Sequence, residues 1–156
     1  MDDITAWRIT SDTYADTAFS GEGAETYGGR FNSVGTPVVY TSASISLATL
    51  ELLAKTGTRQ RLSGRVLLPV TFSEERVTIR DAQDLPEGWD ERPYGPSSQQ
   101  VGDRWVQSEE SLVLRVPSVV VPAEHNYLIN PQHPAFGELV IGEPRPLNPD
   151  PRLPDT

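Results

Sequence analysis

Three side chains within Tyr27–Gly57, YGGRFNSVGTPVVYTSASISLATLELLAKTG, have types suited to a charged, planar ligand. Arg30 follows the pair Gly28–Gly29. A guanidinium grips a phosphate or carboxylate through two parallel hydrogen bonds. Glycines beside it let the backbone approach a ligand closely. Tyr40 closes a short apolar run and offers a flat face for stacking on an aromatic ring. Glu51 places a carboxylate among Leu50, Leu52 and Leu53, where it must face solvent or find a partner. Together these groups can hold a nucleotide and stabilise positive charge on its sugar. Each also has a plainer reading: a surface arginine after a turn, a tyrosine packed on the next helix, and an ion pair of Glu51 with Lys55 one turn later.

Ser118 is a fourth candidate. It sits in LVLRVPSVVVP, and a hydroxyl in a valine-rich run is bonded to nearby backbone or placed in a pocket. No GxSxG elbow surrounds it, so a hydrolase-type nucleophilic serine is unsupported. His125 and His133 form no metal signature with Glu124. No P-loop or GxGxxG occurs; Gly21 and Gly23 lack the third glycine and the preceding strand.

The elements that must position these groups read as one mixed α+β domain, a β-sheet core with flanking helices. Alternation predicts a strand over Ala6–Thr10, and β-branching predicts another over Thr36–Thr41. A helix follows, capped by Ser42 or Ser44, with Leu47, Leu50 and Leu53 toward the core and Gly57 ending it. Arg65–Phe72 is a strand whose Pro69 implies an edge or a bulge. Val77–Ile79 and Leu112–Val116 are further strands, with extended character continuing over Val119–Val121. Gln99–Ser108 is a helix, and Phe136–Ile141 is a final strand. Ser11–Gly29, Asp84–Ser98 and Asn126–Pro134 read as loop or turn. The proline-rich tail 142–156 is expected to be extended or disordered beyond a domain at 1–141.

The chain has 156 residues, of which 37% are hydrophobic, enough for one core. No run approaches the roughly 20 apolar residues of a membrane span, and the opening MDDITAWRIT lacks an apolar signal core. The absence of cysteine excludes disulfides and thiolate metal sites and fits a reducing cytoplasm. The net charge of −9 argues against direct nucleic-acid binding. A small anionic ligand would need a local cluster of arginines set against that field.

The order WRIT, GGRFN, VVYTSASISLATLELL and GDRWVQSEESLVLRVPSVVVPAEHNYLINPQHP resembles the RES domain family, from Trp7 to Pro134. The block from Gly102 to Pro134 is its most specific part. The family is named for an arginine, a glutamate and a serine. Its members are toxins of bacterial type II toxin–antitoxin pairs with an Xre-like antitoxin. The resemblance implies a fold related to ADP-ribosyltransferases and cytoplasmic destruction of NAD, by breaking the nicotinamide–ribose bond with water or phosphate. NAD is then substrate rather than cofactor, and no metal is expected, because nicotinamide, a cation while attached, is already a good leaving group. The implied site falls on Arg30, Tyr40, Glu51 and Ser118; Phe31 stands where many members have tryptophan. Arg30 would hold the pyrophosphate, Tyr40 would stack on nicotinamide or ribose, and Glu51 would stabilise the ribose cation. Ser118 would donate to the nicotinamide amide or to Glu51. Two other readings remain open at this point: a mono-ADP-ribosyltransferase acting on protein, and a non-catalytic nucleotide-binding module. The implied partners are NAD, inorganic phosphate and an antitoxin, with no membrane.

Overall fold

A computed structural model describes residues 2–56 and 62–153. It is an α+β domain built on one eight-stranded mixed sheet. The strands are β1 (Asp3–Ser11), β2 (Val39–Ser42), β3 (Arg65–Ser73), β4 (Val77–Ile79), β5 (Val113–Pro117), β6 (His125–Ile129), β7 (Val140–Ile141) and β8 (Arg145–Pro146). Their order is β4-β5-β6-β2-β1-β3-β7, with β8 also pairing β3. Among the described residues only β4 and β5 run parallel; the other pairs are antiparallel. The helices are α1 (Glu22–Tyr27), α2 (Ile45–Thr56) and α3 (Pro96–Ser108).

Strand register divides the core into two layers, because cross-strand partners share a face. Ala6, Val70, Val39 and Ile129 belong to one layer, closed by Ala18, Phe19 and Ala135 from the 3-10 segments and their flanks. Tyr40, Leu128, Leu114 and Val116 belong to the other, against Phe31, Trp89, Trp105 and Val106. The site lies on this second face.

Several sequence expectations change. Ser11–Gly29 is not mostly loop: a 3-10 segment covers Asp12–Thr17 and α1 covers Glu22–Tyr27. Asn126 opens no turn, because the β6 backbone pairs with both β2 and β5, and burial of Tyr127, Leu128 and Ile129 outweighs its turn formers. Val119–Val121 is not extended; the Ser118 hydroxyl accepts from the Val120 and Val121 N–H groups, each at 3.0 Å, and bends the chain. Phe136–Ile141 is largely a 3-10 segment (Pro134–Glu138) with a two-residue strand after it. Proline at a first helical position moves the start of α3 back to Pro96.

In α2, Ser44 accepts from the Leu47 N–H at 3.1 Å, while Ser42 pairs instead with Asn126. Leu47 is buried, but Leu50 is 45% exposed, so it does not face the core. Gly57 lies outside the described residues. Pro69 sits between the short β7 and β8 pairings, and its carbonyl accepts from Gly142 N–H, so its missing donor faces an interrupted edge. The tail segment around Arg145 runs extended along β3.

Candidate active site

A cavity of about 670 Å³ opens on the second face, within the size range of small-molecule sites. Arg30, Tyr40 and Glu51 all line it. The turn after α1 delivers Arg30, β2 delivers Tyr40, and α2 delivers Glu51. Ser118 is 1% exposed and sits directly behind Glu51, donating to Oε1 at 2.8 Å.

The Arg30 turn is held from several directions. Gly29 and Asn32 form an antiparallel bridge. The buried Asn32 amide donates to the carbonyls of Ala24 (2.7 Å) and Thr36 (2.9 Å). From α3, Ser98 donates to the Arg30 carbonyl at 2.6 Å, and Gln99 donates to the Asn32 carbonyl at 3.1 Å. Asp103 accepts from the Ser33 N–H at 3.0 Å and from its hydroxyl. The side chain of Arg30 is also engaged: Nη1 donates to the carbonyls of Trp89 (3.0 Å) and Glu91 (2.8 Å). Burial lowers the Arg30 pKa and nearby Glu51 opposes that shift.

The ring of Tyr40 faces the cavity, but its hydroxyl points into the protein. It donates to Asn32 Oδ1 at 2.6 Å and accepts from the Phe31 N–H at 3.0 Å. Gly29 is required here, since a Cβ would stand 2.7 Å from that hydroxyl. The Tyr40 backbone carbonyl is fixed by Arg8, whose pKa burial lowers to about 10. Burial pushes the Tyr40 pKa upward. The sign follows: the unfolded phenol ionises first, so the contribution is intact below pH about 10 and lost as pH rises toward the folded value. Tyr40→Phe should lower stability by about 1–3 kcal/mol at neutral pH, by stranding the Phe31 N–H and Asn32 Oδ1. The gap from the parent should shrink above pH about 10. Urea midpoints on both sides of that pH check it, and a pH-independent gap counts against it.

The Ser118 hydroxyl has one proton and two acceptor sites. All three are filled, by Glu51, Val120 N–H and Val121 N–H. Ser118 therefore has no free donor for a ligand amide. It fixes Oε1, and Oε2 has no protein partner among the described residues. Lys55 makes no ion pair with Glu51 among the described residues, although it too lines the cavity. Ser118→Ala should cost about 1–3 kcal/mol of stability and release Glu51. A thermal melt checks the loss, and an unchanged melting temperature would mean that this tether carries no stability.

Sequence reasoning missed Arg92, Tyr94 and Asn126 at this cavity. Arg92 and Tyr94 lie in a Pro- and Gly-rich loop without periodicity. Asn126 opens the misread strand β6, where Ser42 donates to its Oδ1 at 2.7 Å. The two histidines lie elsewhere: His133 caps the Pro134–Glu138 segment through Nδ1, and His125 opens β6.

The RES domain family model matches residues 5–150. The chain belongs to the RES domain family. Among curated relatives, "Toxin Res" of Photorhabdus laumondii subsp. laumondii is 35% identical over 134 residues, covering 86% of each chain. "Prs ADP-ribosylating toxin" of Sphingobium sp. is 38% identical over 152 residues, covering 94% of each. Among solved structures, the Mycobacterium tuberculosis MbcT–MbcA toxin–antitoxin complex contains a similar fold, with TM-score 0.71 and 20% identity over 94% of this chain and 85% of that one. The RES domain thus spans nearly all of the described residues, with Arg30, Tyr40, Glu51 and Ser118 inside it. No helix among the described residues is long and apolar enough to cross a membrane.

Proposed function

We propose that this RES domain protein is a toxin that consumes NAD by cleaving the bond between nicotinamide and ribose. One observation carries the reading: a guanidinium and a carboxylate, Arg30 and Glu51, line the same cavity beside the Tyr40 ring. The glycosidic C–N bond breaks with its electron pair going to the pyridinium nitrogen, so nicotinamide leaves neutral. Positive charge develops on the ribose carbon and ring oxygen. Glu51, tethered through Oε1, presents its other oxygen to that charge or to the ribose hydroxyls. Arg30 faces the diphosphate with the nitrogens it does not spend on loop carbonyls. Tyr40 packs against a ring of the substrate, its hydroxyl being engaged elsewhere. Water completes the reaction as ADP-ribose with release of a proton; phosphate completes it as ADP-ribose-1″-phosphate.

A protein acceptor is the second reading. It is supported by the name of the Sphingobium relative. The test is one incubation: purified protein with labelled NAD, with and without phosphate, and then with lysate. Free ADP-ribose, the 1″-phosphate and labelled protein distinguish the three acceptors, and unconsumed NAD in every arm rejects the reading. We further propose cytoplasmic action, where NAD is available, and neutralisation by an Xre-like antitoxin whose chain end enters the cavity with a carboxylate toward Arg30. A complex that blocks activity with the cavity open would reject the plug.

A further inference from the structure

The cavity carries more positive charge than a single arginine supplies. Arg92 lines it, exposed, on the loop that precedes α3. That loop is held by Arg30 itself, whose Nη1 takes the carbonyls of Trp89 and Glu91, the residue just before Arg92. Arg92 then spans the cavity mouth, with Nη2 donating to the Val119 carbonyl at 3.3 Å on the bend after Ser118. Arg30 thus fixes the segment that delivers a second guanidinium. The two charges repel, and Arg92 disfavours the charged form of Arg30.

Their position sets them apart: Arg8, Arg104 and Arg145 also form no ion pair among the described residues, but of the described arginines only Arg30 and Arg92 line the cavity. Arg76, Arg80, Arg115 and Arg152 each face a carboxylate. Neither Arg30 nor Arg92 forms an ion pair among the described residues, in a chain of net charge −9. Two unmatched guanidiniums at one mouth suit a ligand with two adjacent anionic groups, and a diphosphate has that form.

We propose that Arg92 binds the second phosphoryl group of the substrate's diphosphate while Arg30 takes the first. The assignment rests on the NAD-consuming reading. It makes Arg92 the residue that distinguishes a dinucleotide from a mononucleotide carrying the same glycosidic bond.

The test compares NAD with nicotinamide mononucleotide, the latter measured as substrate or as competitor, in the parent, Arg92→Ala and Arg92→Lys proteins. Loss of a charge-assisted contact predicts that Arg92→Ala raises KM for NAD by about 10- to 100-fold, with kcat little changed. The constant for the mononucleotide should stay at the parental value, which also shows that the site is still folded. Arg92→Lys should recover part of the loss, because a point charge cannot reproduce the planar fork. An unchanged KM for NAD overturns the assignment. So does a parallel rise for both ligands, which would mark Arg92 as a strut for the loop. A parent protein that neither binds nor consumes NAD overturns the reading beneath it as well.

Discussion

Glu51→Gln is expected to lower kcat for NAD cleavage by about 10²- to 10³-fold or more while leaving the fold and KM nearly unchanged. The amide keeps the shape of the carboxylate and still accepts the Ser118 hydroxyl bond, now 2.8 Å long to Oε1. The Ser118 bend, which also depends on the Val120 and Val121 N–H groups, is therefore retained. What disappears is the negative charge facing a sugar cation, which matters only as that cation forms. Because ground-state binding survives, the loss should fall on kcat rather than KM. Steady-state kinetics with a thermal melt separates these outcomes. If Glu51→Gln consumes NAD at the parental rate, Glu51 has no catalytic role. On induced expression the same variant should relieve toxicity.

Gly102→Ala is expected to have the largest effect on stability. A Cβ at Gly102 would stand 1.6 Å from the Phe31 carbonyl oxygen and 2.7 Å from its carbon. Both atoms are backbone, so no side-chain rotation relieves the clash. Either α3 or the Arg30 turn must move, and the contacts of Ser98, Gln99 and Asp103 with that turn go with it. Overpacking of this kind costs about 3 kcal/mol or more. At about 2–4 °C per kcal/mol for a domain of this size, the melting temperature should fall by about 10 °C. Activity should fall too, because Arg30 rides on the displaced turn. Gly23→Ala is the control: nothing lies within 4 Å of its Cβ, and it sits within α1, where alanine is the better helix former. Equal melting temperatures for Gly102→Ala and the parent would mean that the turn and α3 separate freely.

The same contacts explain what the sequence could reveal. β1, β3 and β5 were legible because alternation and β-branched residues report a half-buried pleat directly. β6 was not, because Asn126 and Asn130 are turn formers whose bonds to Ser42 and to the Val106 carbonyl are long-range. α1 has only six residues, one of them glycine, too few to set a period. Resemblance placed Arg30, Tyr40, Glu51 and Ser118 in one site, yet the partners of each side chain were hidden. Nothing local says that the Tyr40 hydroxyl turns inward or that Arg30 spends a nitrogen on the loop carrying Arg92. Those facts belong to pairs separated by 8 to 61 residues.

The short strands β7 and β8 have a consequence for handling the protein. They cover the outer border of β3, whose RVLLPVTF stretch is apolar and β-prone, and the Leu147 N–H extends that cover to Arg65. Truncation at residue 141 would leave part of that border open to another chain, and uncapped borders of this kind recruit strands from neighbouring molecules. Pro69 interrupts the template at its middle, so short oligomers rather than fibrils should follow, visible as a concentration-dependent shift in light scattering.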